Sequence, residues 1–298
     1  MKGIIFDTGF NTGQDGPGLR SIIYLKGCNF RCLWCANPES WHPDRELLLY
    51  PEKEQYIERI LKSCPLKAIR KDKDKTATDR NLCRNCDNFI CTNECFDNSR
   101  VLCGRIISSD EIIEYAKRYK KFWSSGGGVT LTGGEPTFQF DFLRDLLYKF
   151  KKEGINTAVE TNGSHKNLEG LIDLIDLIIC DIKHIDADKH KQFVDSGNEQ
   201  ILENIITISN KNKPLWIRLP IIPGYTDSKE NITGIMKFLR PIRNKIKIEF
   251  IKYHQLGIPK WKALGKEYSL KAVQQPDSKK MSELKQNFLD NYFKVIST

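Results

Sequence analysis

Ile22-Ile23-Tyr24-Leu25-Lys26-Gly27-Cys28-Asn29-Phe30-Arg31-Cys32-Leu33-Trp34-Cys35 joins a continuous apolar run to three cysteines at spacing C-x3-C-x2-C. The run from Leu19 to Lys26 reads as a strand buried on both faces, and the cysteines follow in a loop at its end. Three soft thiolates this close together suit a metal centre. The next cysteine is Cys64, so no fourth thiolate is at hand. A structural zinc site is ordinarily closed by four protein ligands, and a cubane iron–sulfur cluster by four thiolates. Three thiolates on a cubane leave one iron open to another ligand. Zinc, or a set of inert buried thiols, is the plainer reading of the same residues.

Beyond this loop, strands alternate with helices. Val129-Thr130-Leu131, Thr157 to Glu160, Leu177 to Asp181, Leu215 to Leu219 and Ile246 to Tyr253 read as strands. Helices are expected from a cap at Ser109, over Phe140 to Lys152, Asn167 to Ile175, about Glu199 to Ser209, Ser228 to Leu239 and Ser282 to Tyr292. Residues 1 to 18 read as short and turn-rich, with Asp15-Gly16-Pro17-Gly18 as the strongest turn signal. With the first run, this makes about six strands, and the alternation predicts an α/β fold with a parallel sheet and helical crossovers. Polar residues gather past the strand ends: Glu135, Glu160, Asp181, Lys183, Arg218 and His254. In barrel folds, active sites sit at those ends. Six repeats fall short of a closed eight-strand barrel, so the expected architecture is an open, partial (β/α)6 TIM-like barrel.

Residues 46 to 105 break the pattern. They hold Cys64, Cys83, Cys86, Cys91, Cys95 and Cys103 in a polar, weakly periodic setting. Such a segment needs metal to fold, and it reads as a cysteine-rich insert between barrel residues 1–45 and 106–298. Cys180, inside an apolar strand, reads as a small core residue.

Composition narrows the partners. The chain has 298 residues, 47 Lys and Arg against 38 Asp and Glu, and net charge +9. The cations are scattered, and the Arg70 to Lys75 cluster alternates with Asp72 and Asp74. That argues against nucleic acid and suits an acidic face on a protein partner. No apolar run approaches the roughly 18 residues of a membrane span, and no secretory core follows Met1-Lys2-Gly3, so a cytoplasmic protein without a membrane partner is expected. Ten cysteines there point to metal or redox chemistry.

C-x3-C-x2-C followed by Gly133-Gly134-Glu135 resembles the radical S-adenosylmethionine superfamily. The resemblance implies a partial (β/α)6 barrel and a [4Fe-4S] cluster on Cys28, Cys32 and Cys35, whose open iron takes S-adenosylmethionine. It implies that Trp34, with Cys35 and Ala36, lies near the adenine. Gly133, Gly134 and Glu135 would serve the methionine amino group. Asp181-Ile182-Lys183 and Tyr253-His254-Gln255-Leu256-Gly257 are similar to elements of its activating-enzyme branch, in which Asp181, Ile182, Lys183 and His254 would contact the cofactor. Arg218 matches a position near the active site, and Glu160-Thr161-Asn162 matches an Asp/Glu-Thr-Asn segment. Asp15-Gly16-Pro17-Gly18-x-Arg20 and Trp34-Cys35-Ala36-Asn37-Pro38-Glu39 extend the match over nearly the whole chain.

The resemblance is to activating enzymes of glycyl radical enzymes, and among them to the ferredoxin-insert activases of arylacetate decarboxylases such as 4-hydroxyphenylacetate decarboxylase. It implies reduction by ferredoxin or flavodoxin and cleavage of S-adenosylmethionine. Hydrogen is then removed from a glycine of a partner enzyme. Such relatives often carry two ferredoxin cysteine sets. Here Cys64-Pro65 looks like the last cysteine of a set whose other members are absent. In two-cluster ferredoxins that cysteine ligates the other cluster. This assigns Cys64, Cys83, Cys86 and Cys91 to one further [4Fe-4S] cluster. Cys83, Cys86, Cys91 and Cys95 form the rival set, Cys103 is a possible substitute in either, and zinc is the bland alternative. Two rivals stand beside the activase reading: a radical enzyme of this superfamily acting on a small molecule or peptide, and a non-catalytic electron carrier or zinc module.

Overall fold

Apolar runs end in polar residues six times over, and the computed structural model, which describes residues 1–12, 15–123 and 125–296 (Asn11 and Thr12 as backbone only), assembles them side by side. In chain order the elements are β1 Lys2–Thr12, β2 Arg20–Leu25, β3 Glu46–Leu49, α1 Ile57–Ser63, β4 Ile69–Asp72, β5 Lys75–Thr78, α2 Arg80–Cys83, β6 Arg100–Cys103, β7 Arg105–Ser108, α3 Ser109–Tyr119, β8 Gly128–Gly133 and α4 Phe140–Lys152. They continue as β9 Thr157–Thr161, β10 Leu177–Asp181, α5 Ala187–Val194, α6 Glu199–Asn210, β11 Leu215–Ile221, α7 Lys229–Leu239, β12 Ile246–Lys252, α8 Ile258–Ala263 and α9 Ser278–Asp290. The main sheet runs β12-β11-β10-β9-β8-β2-β1-β7. From β2 through β12 its neighbours are parallel. This is the expected α/β partial barrel with six parallel strands. Helices such as α4 and α6 bury one face against it through Leu143, Leu146, Leu147, Ile201, Ile205 and Ile208.

Several local readings need correction. Residues 1 to 18 are not simply turns: β1 pairs antiparallel with both β2 and β7 and widens the sheet to eight strands. Its Gly3, Asp7, Gly9 and Asn11 are poor strand formers, so pairing and not propensity fixes it. The cap of α3 is Ser108, whose hydroxyl accepts from Glu111 N while the Glu111 carboxylate accepts from Ser108 N. Ser109 is buried and donates to Asp145 Oδ2 at 2.5 Å. Residues Leu168–Leu174 form 3-10 turns in place of an α-helix. The last helix begins at Ser278, capped by Asp277. The helices α5 and α8 were not anticipated, and both prove to hold the cysteine loop.

The insert carries its own small core. Antiparallel β3 and β6 pair at its root, β4 and β5 form a hairpin, and Leu47, Leu49, Ile60, Ile69, Phe89, Cys91 and Cys95 pack together. All ten cysteines are free thiols. Among the described residues, no helix is long and apolar enough to cross a membrane.

At the opposite end of the barrel from the strand termini, Arg20 is wholly buried. Its Nε donates to Thr130 Oγ1 at 2.8 Å, Nη1 to Gly126 O at 2.9 Å, and Nη2 to Val129 O and Asn156 Oδ1 at 3.0 Å. Burial lowers its pKa to about 10, leaving it charged at neutral pH. The Asp15-to-Arg20 motif is therefore a plug that satisfies the backbone carbonyls at the barrel floor. Arg20→Leu orphans those carbonyls and is expected to cost about 3 kcal/mol or more, read as a lower urea midpoint at unchanged slope.

Candidate active site

Three backbones meet where β2 ends. Gly27 N donates to Ser40 O at 2.7 Å, Gly134 N to Leu25 O at 2.9 Å and Glu135 N to Gly27 O at 2.8 Å. A Cβ on Gly134 would lie 2.3 Å from Gly27 O, so only glycine lets the end of β8 close on the start of the cysteine loop. Lys26, fully buried, donates to Glu39 O, His42 O and Glu46 Oε1 at 2.7 to 2.9 Å and locks the return segment in place.

The loop is held from two further sides. Arg31 N and Leu33 N donate to Val194 O and Phe193 O, at the end of α5, at 2.9 and 3.1 Å. Phe193 also packs edge-on against Trp34. After β12, Trp261 Nε1 donates to Cys35 O at 2.9 Å, and Lys260 Nζ reaches Asn37 Oδ1 and Glu39 Oε1, each at 2.7 Å. A Cβ on Gly257 would meet Cys35 O at 2.7 Å. The Tyr253-to-Gly257 element is thus largely a clamp: the Tyr253 hydroxyl donates to Leu270 O at 3.1 Å, and Gln255 Nε2 donates to the carbonyls of Leu270, Lys271 and Val273.

Cys28, Cys32 and Cys35 line one cavity of about 280 Å³ at the strand ends. Trp34, Ala36, Gly133, Gly134, Asp181, Lys183, Arg218 and His254 line the same cavity, so most of the expected site residues come together. Two do not face it. Ile182 is buried in the wall, where its N donates to Arg218 O at 3.0 Å. Glu135 sits behind the wall: its carboxylate accepts from Thr137 Oγ1 at 2.6 Å, Thr161 Oγ1 at 2.8 Å and Asn162 N at 2.6 Å. Its bonds tie the end of β8 to the end of β9. Phe30, Thr132 and Ile251 also line the cavity, and no motif in the sequence marks them as site residues.

A charged row crosses the floor. In register across β10, β11 and β12 stand Asp181, Arg218 and Glu249. Lys183 Nζ donates to Asp181 Oδ2 at 2.6 Å. Arg218 Nε donates to Glu249 Oε2 at 2.7 Å, and Nη1 lies 2.9 Å from Glu160 Oε1. Thr132 Oγ1 donates to Glu160 Oε2 at 2.7 Å. Burial pushes the Glu160 carboxyl up against the opposing pull of Arg218. Burial works against the Lys183 ammonium, yet Asp181 and the nearby thiols hold its pKa above the ordinary lysine value. Glu249 escaped notice as a strand residue, although a lone carboxylate inside an apolar run was a visible signal.

Burial pushes the Cys28, Cys32 and Cys35 thiols up to about 12. Metal binding there must displace protons, as thiolate coordination does. Among the described residues, no three His, Cys, Asp or Glu side chains converge as a ready single-ion site. In the insert, Cys64, Cys83, Cys86 and Cys91 line a second, small cavity together with Arg100. Cys95 is turned away, its Sγ donating to Asp97 Oδ1 at 2.9 Å and accepting from Arg100 N at 3.2 Å. Cys103 lies apart, beside Leu48, Ala263 and Leu264.

Comparison with known proteins gives this geometry its family. Residues 81–236 match the radical SAM superfamily, and residues 14–71 match a 4Fe-4S single cluster domain. The chain is 38% identical over 300 residues to the 4-hydroxyphenylacetate decarboxylase activating enzyme of Clostridioides difficile (strain 630), covering 98% of this chain and 94% of that protein. It is 35% identical over 281 residues to the (2S)-3-sulfopropanediol dehydratase activating enzyme of Klebsiella oxytoca, covering 91% and 88%. In fold alone it is similar to Streptococcus suis SuiB bound to precursor peptide SuiA, with a TM-score of 0.51 at 13% identity over 93% of this chain and 48% of that one. The chain belongs to the radical SAM superfamily and, within it, to the activating enzymes of glycyl radical enzymes. Its chemistry therefore uses an iron–sulfur cluster and S-adenosylmethionine, and its substrate is a partner glycyl radical enzyme.

Because Gly257 bears on the Cys35 backbone, Gly257→Ala is expected to loosen the cysteine loop and not the insert. Anaerobic reconstitution should give a chain that binds less iron than the parent, while far-ultraviolet circular dichroism is unchanged.

Proposed function

We propose that Cys28, Cys32 and Cys35 hold a [4Fe-4S] cluster whose open iron receives S-adenosylmethionine, and that the partner is an arylacetate decarboxylase or a related lyase. The observation that carries this reading is that Cys28 and Cys32, both buried, and the half-buried Cys35 line one cavity at the strand ends with a row of charges and no fourth cysteine. The donor set fits a cluster that needs one exchangeable position. When bound, the cluster and S-adenosylmethionine supply a 5′-deoxyadenosyl radical that takes one hydrogen from a glycine Cα of the partner.

The chain's own residues bind and orient. Gly133 and Gly134 offer backbone polar edges to the methionine ammonium, with Glu135 as the residue that positions them. Asp181 accepts hydrogen bonds from the cofactor, and the Lys183 ammonium, beside the thiols, offsets the negative charge of the cluster. The Trp34 face, with Cys35 and Ala36, packs on the adenine, and His254 closes the rim. Arg218, neutralised by Glu160 and Glu249, orients the cavity floor where the glycine arrives. The apolar wall formed by Phe30, Pro220, Ile222 and Ile251 keeps water from the radical.

The insert, residues 46–105, is proposed as a ferredoxin-like unit on a barrel of residues 1–45 and 106–298. One further [4Fe-4S] cluster on Cys64, Cys83, Cys86 and Cys91 is supported by the shared cavity of these four and by the separate bonding of Cys95. Reduced ferredoxin or flavodoxin is the proposed electron donor. The relatives that match act on different partners, so the arylacetate reading rests on the 38% identity to the decarboxylase activase.

Anaerobically reconstituted protein should bind about eight irons, falling to about four in Cys64→Ala and staying near eight in Cys95→Ala. With dithionite and S-adenosylmethionine it should release 5′-deoxyadenosine, and Cys32→Ala should release none. Zinc without iron, or nucleoside production by Cys32→Ala, would sink the assignment.

A further inference from the structure

Arg100 is an anomaly in the insert. Its side chain is 1% exposed, and it lines the cavity shared by Cys64, Cys83, Cys86 and Cys91. One edge of the guanidinium is fully used: Nη2 donates to Thr76 Oγ1 at 2.5 Å, Thr78 Oγ1 at 3.1 Å and Glu54 Oε1 at 3.3 Å. The other two nitrogens, Nε and Nη1, are buried and have no hydrogen-bond partner. Guanidinium stays charged in proteins, so Nε and Nη1 remain N–H donors in a residue that lines the cavity. Glu54 is equally buried, at 2%, and is held by Thr76 N at 2.7 Å and Thr76 Oγ1 at 2.6 Å. An unpaired charged donor beside four thiols is costly unless an anion meets it.

We propose that Arg100 donates from Nε and Nη1 to the sulfur atoms of the insert cluster and, with Glu54 as its counter-charge, sets that cluster's reduction potential. The proposal rests on the assignment of a cluster to Cys64, Cys83, Cys86 and Cys91. A cubane on four thiolates is an anion, and one electron from a reduced carrier makes it more negative by one charge. Positive charge and N–H donation to sulfur favour the reduced form and raise the potential. The Glu54 carboxylate opposes this from behind the guanidinium, so the two residues act with opposite sign. The β4–β5 hairpin holds the guanidinium: Thr76 and Thr78 on β5 grip Nη2, which leaves Nε and Nη1 as the unpartnered donors of a residue that lines the cavity.

The test uses the full-length chain with Cys28, Cys32 and Cys35 all changed to Ala, in which the insert cluster stands alone. Potentiometric titration with dithionite, followed by electron paramagnetic resonance, reads its midpoint. Arg100→Met is expected to lower the equilibrium constant for reduction at least tenfold, about 59 mV for one electron. Glu54→Gln is expected to shift the midpoint the other way, and Arg100→Lys, which keeps the charge without the fork, to fall between Met and the parent. Midpoints unmoved by Arg100→Met, or Glu54→Gln moving in the same direction as Arg100→Met, would overturn the role of Arg100 while leaving the cluster assignment intact. Should Arg100→Met not load iron, the Glu54→Gln shift alone decides. A parent chain that binds no iron in the insert would overturn both.

Discussion

Everything at the mouth of this barrel depends on backbones packed too closely for side chains. The end of β2 and the first residue of the loop are touched by the Gly133-Gly134 pair on one side and by the return segment at Ser40 and Trp41 on the other. Gly257 then closes on the carbonyl of Cys35. No thiol ligand is needed to hold this shape, because amide hydrogen bonds and glycine contacts do so. The loop can therefore present three thiols and leave the remaining coordination position of the proposed cluster to the cofactor.

The same economy governs charge. Lys183 and Arg218 lie on a floor that burial makes hostile to isolated ions, and each is matched: Lys183 by Asp181, Arg218 by Glu160 and Glu249. Parallel register places Asp181, Arg218 and Glu249 side by side, so the network is a direct product of the strand order. In the insert, Arg100 is paired with Glu54 through Nη2, while its Nε and Nη1 are buried without a protein partner. Four thiols share that cavity, whereas Cys95 satisfies itself locally.

Much of this was legible in the sequence because the informative residues interrupt strong patterns. Apolar runs leading to Glu135, Glu160 and Asp181 announced both the parallel sheet and the end at which the cavity lies, whereas Arg218 stands inside its strand. The spacing of Cys28, Cys32 and Cys35 announced the loop. What escaped depended on contacts between distant segments. The strand β1 has weak local propensity and exists by pairing with β2 and β7. Whether Glu135 faces cofactor or protein is set by Thr161 and Asn162, which no local pattern reveals. The Tyr253-to-Gly257 element resembled a cofactor contact, yet only His254 and Tyr253 line the cavity while Gln255 and Gly257 serve the clamp. Arg20 looked like part of a turn motif and is a plug in the barrel floor.

The central claim is the open iron, and Mössbauer spectroscopy tests it most directly. Cys64→Ala, Cys83→Ala protein, reconstituted with 57Fe so that the barrel cluster alone remains, would be compared with and without S-adenosylmethionine. The three-thiolate assignment predicts a single iron site set apart from the others, whose isomer shift rises when the cofactor is added. Iron sites that remain equivalent and unresponsive to S-adenosylmethionine would contradict it.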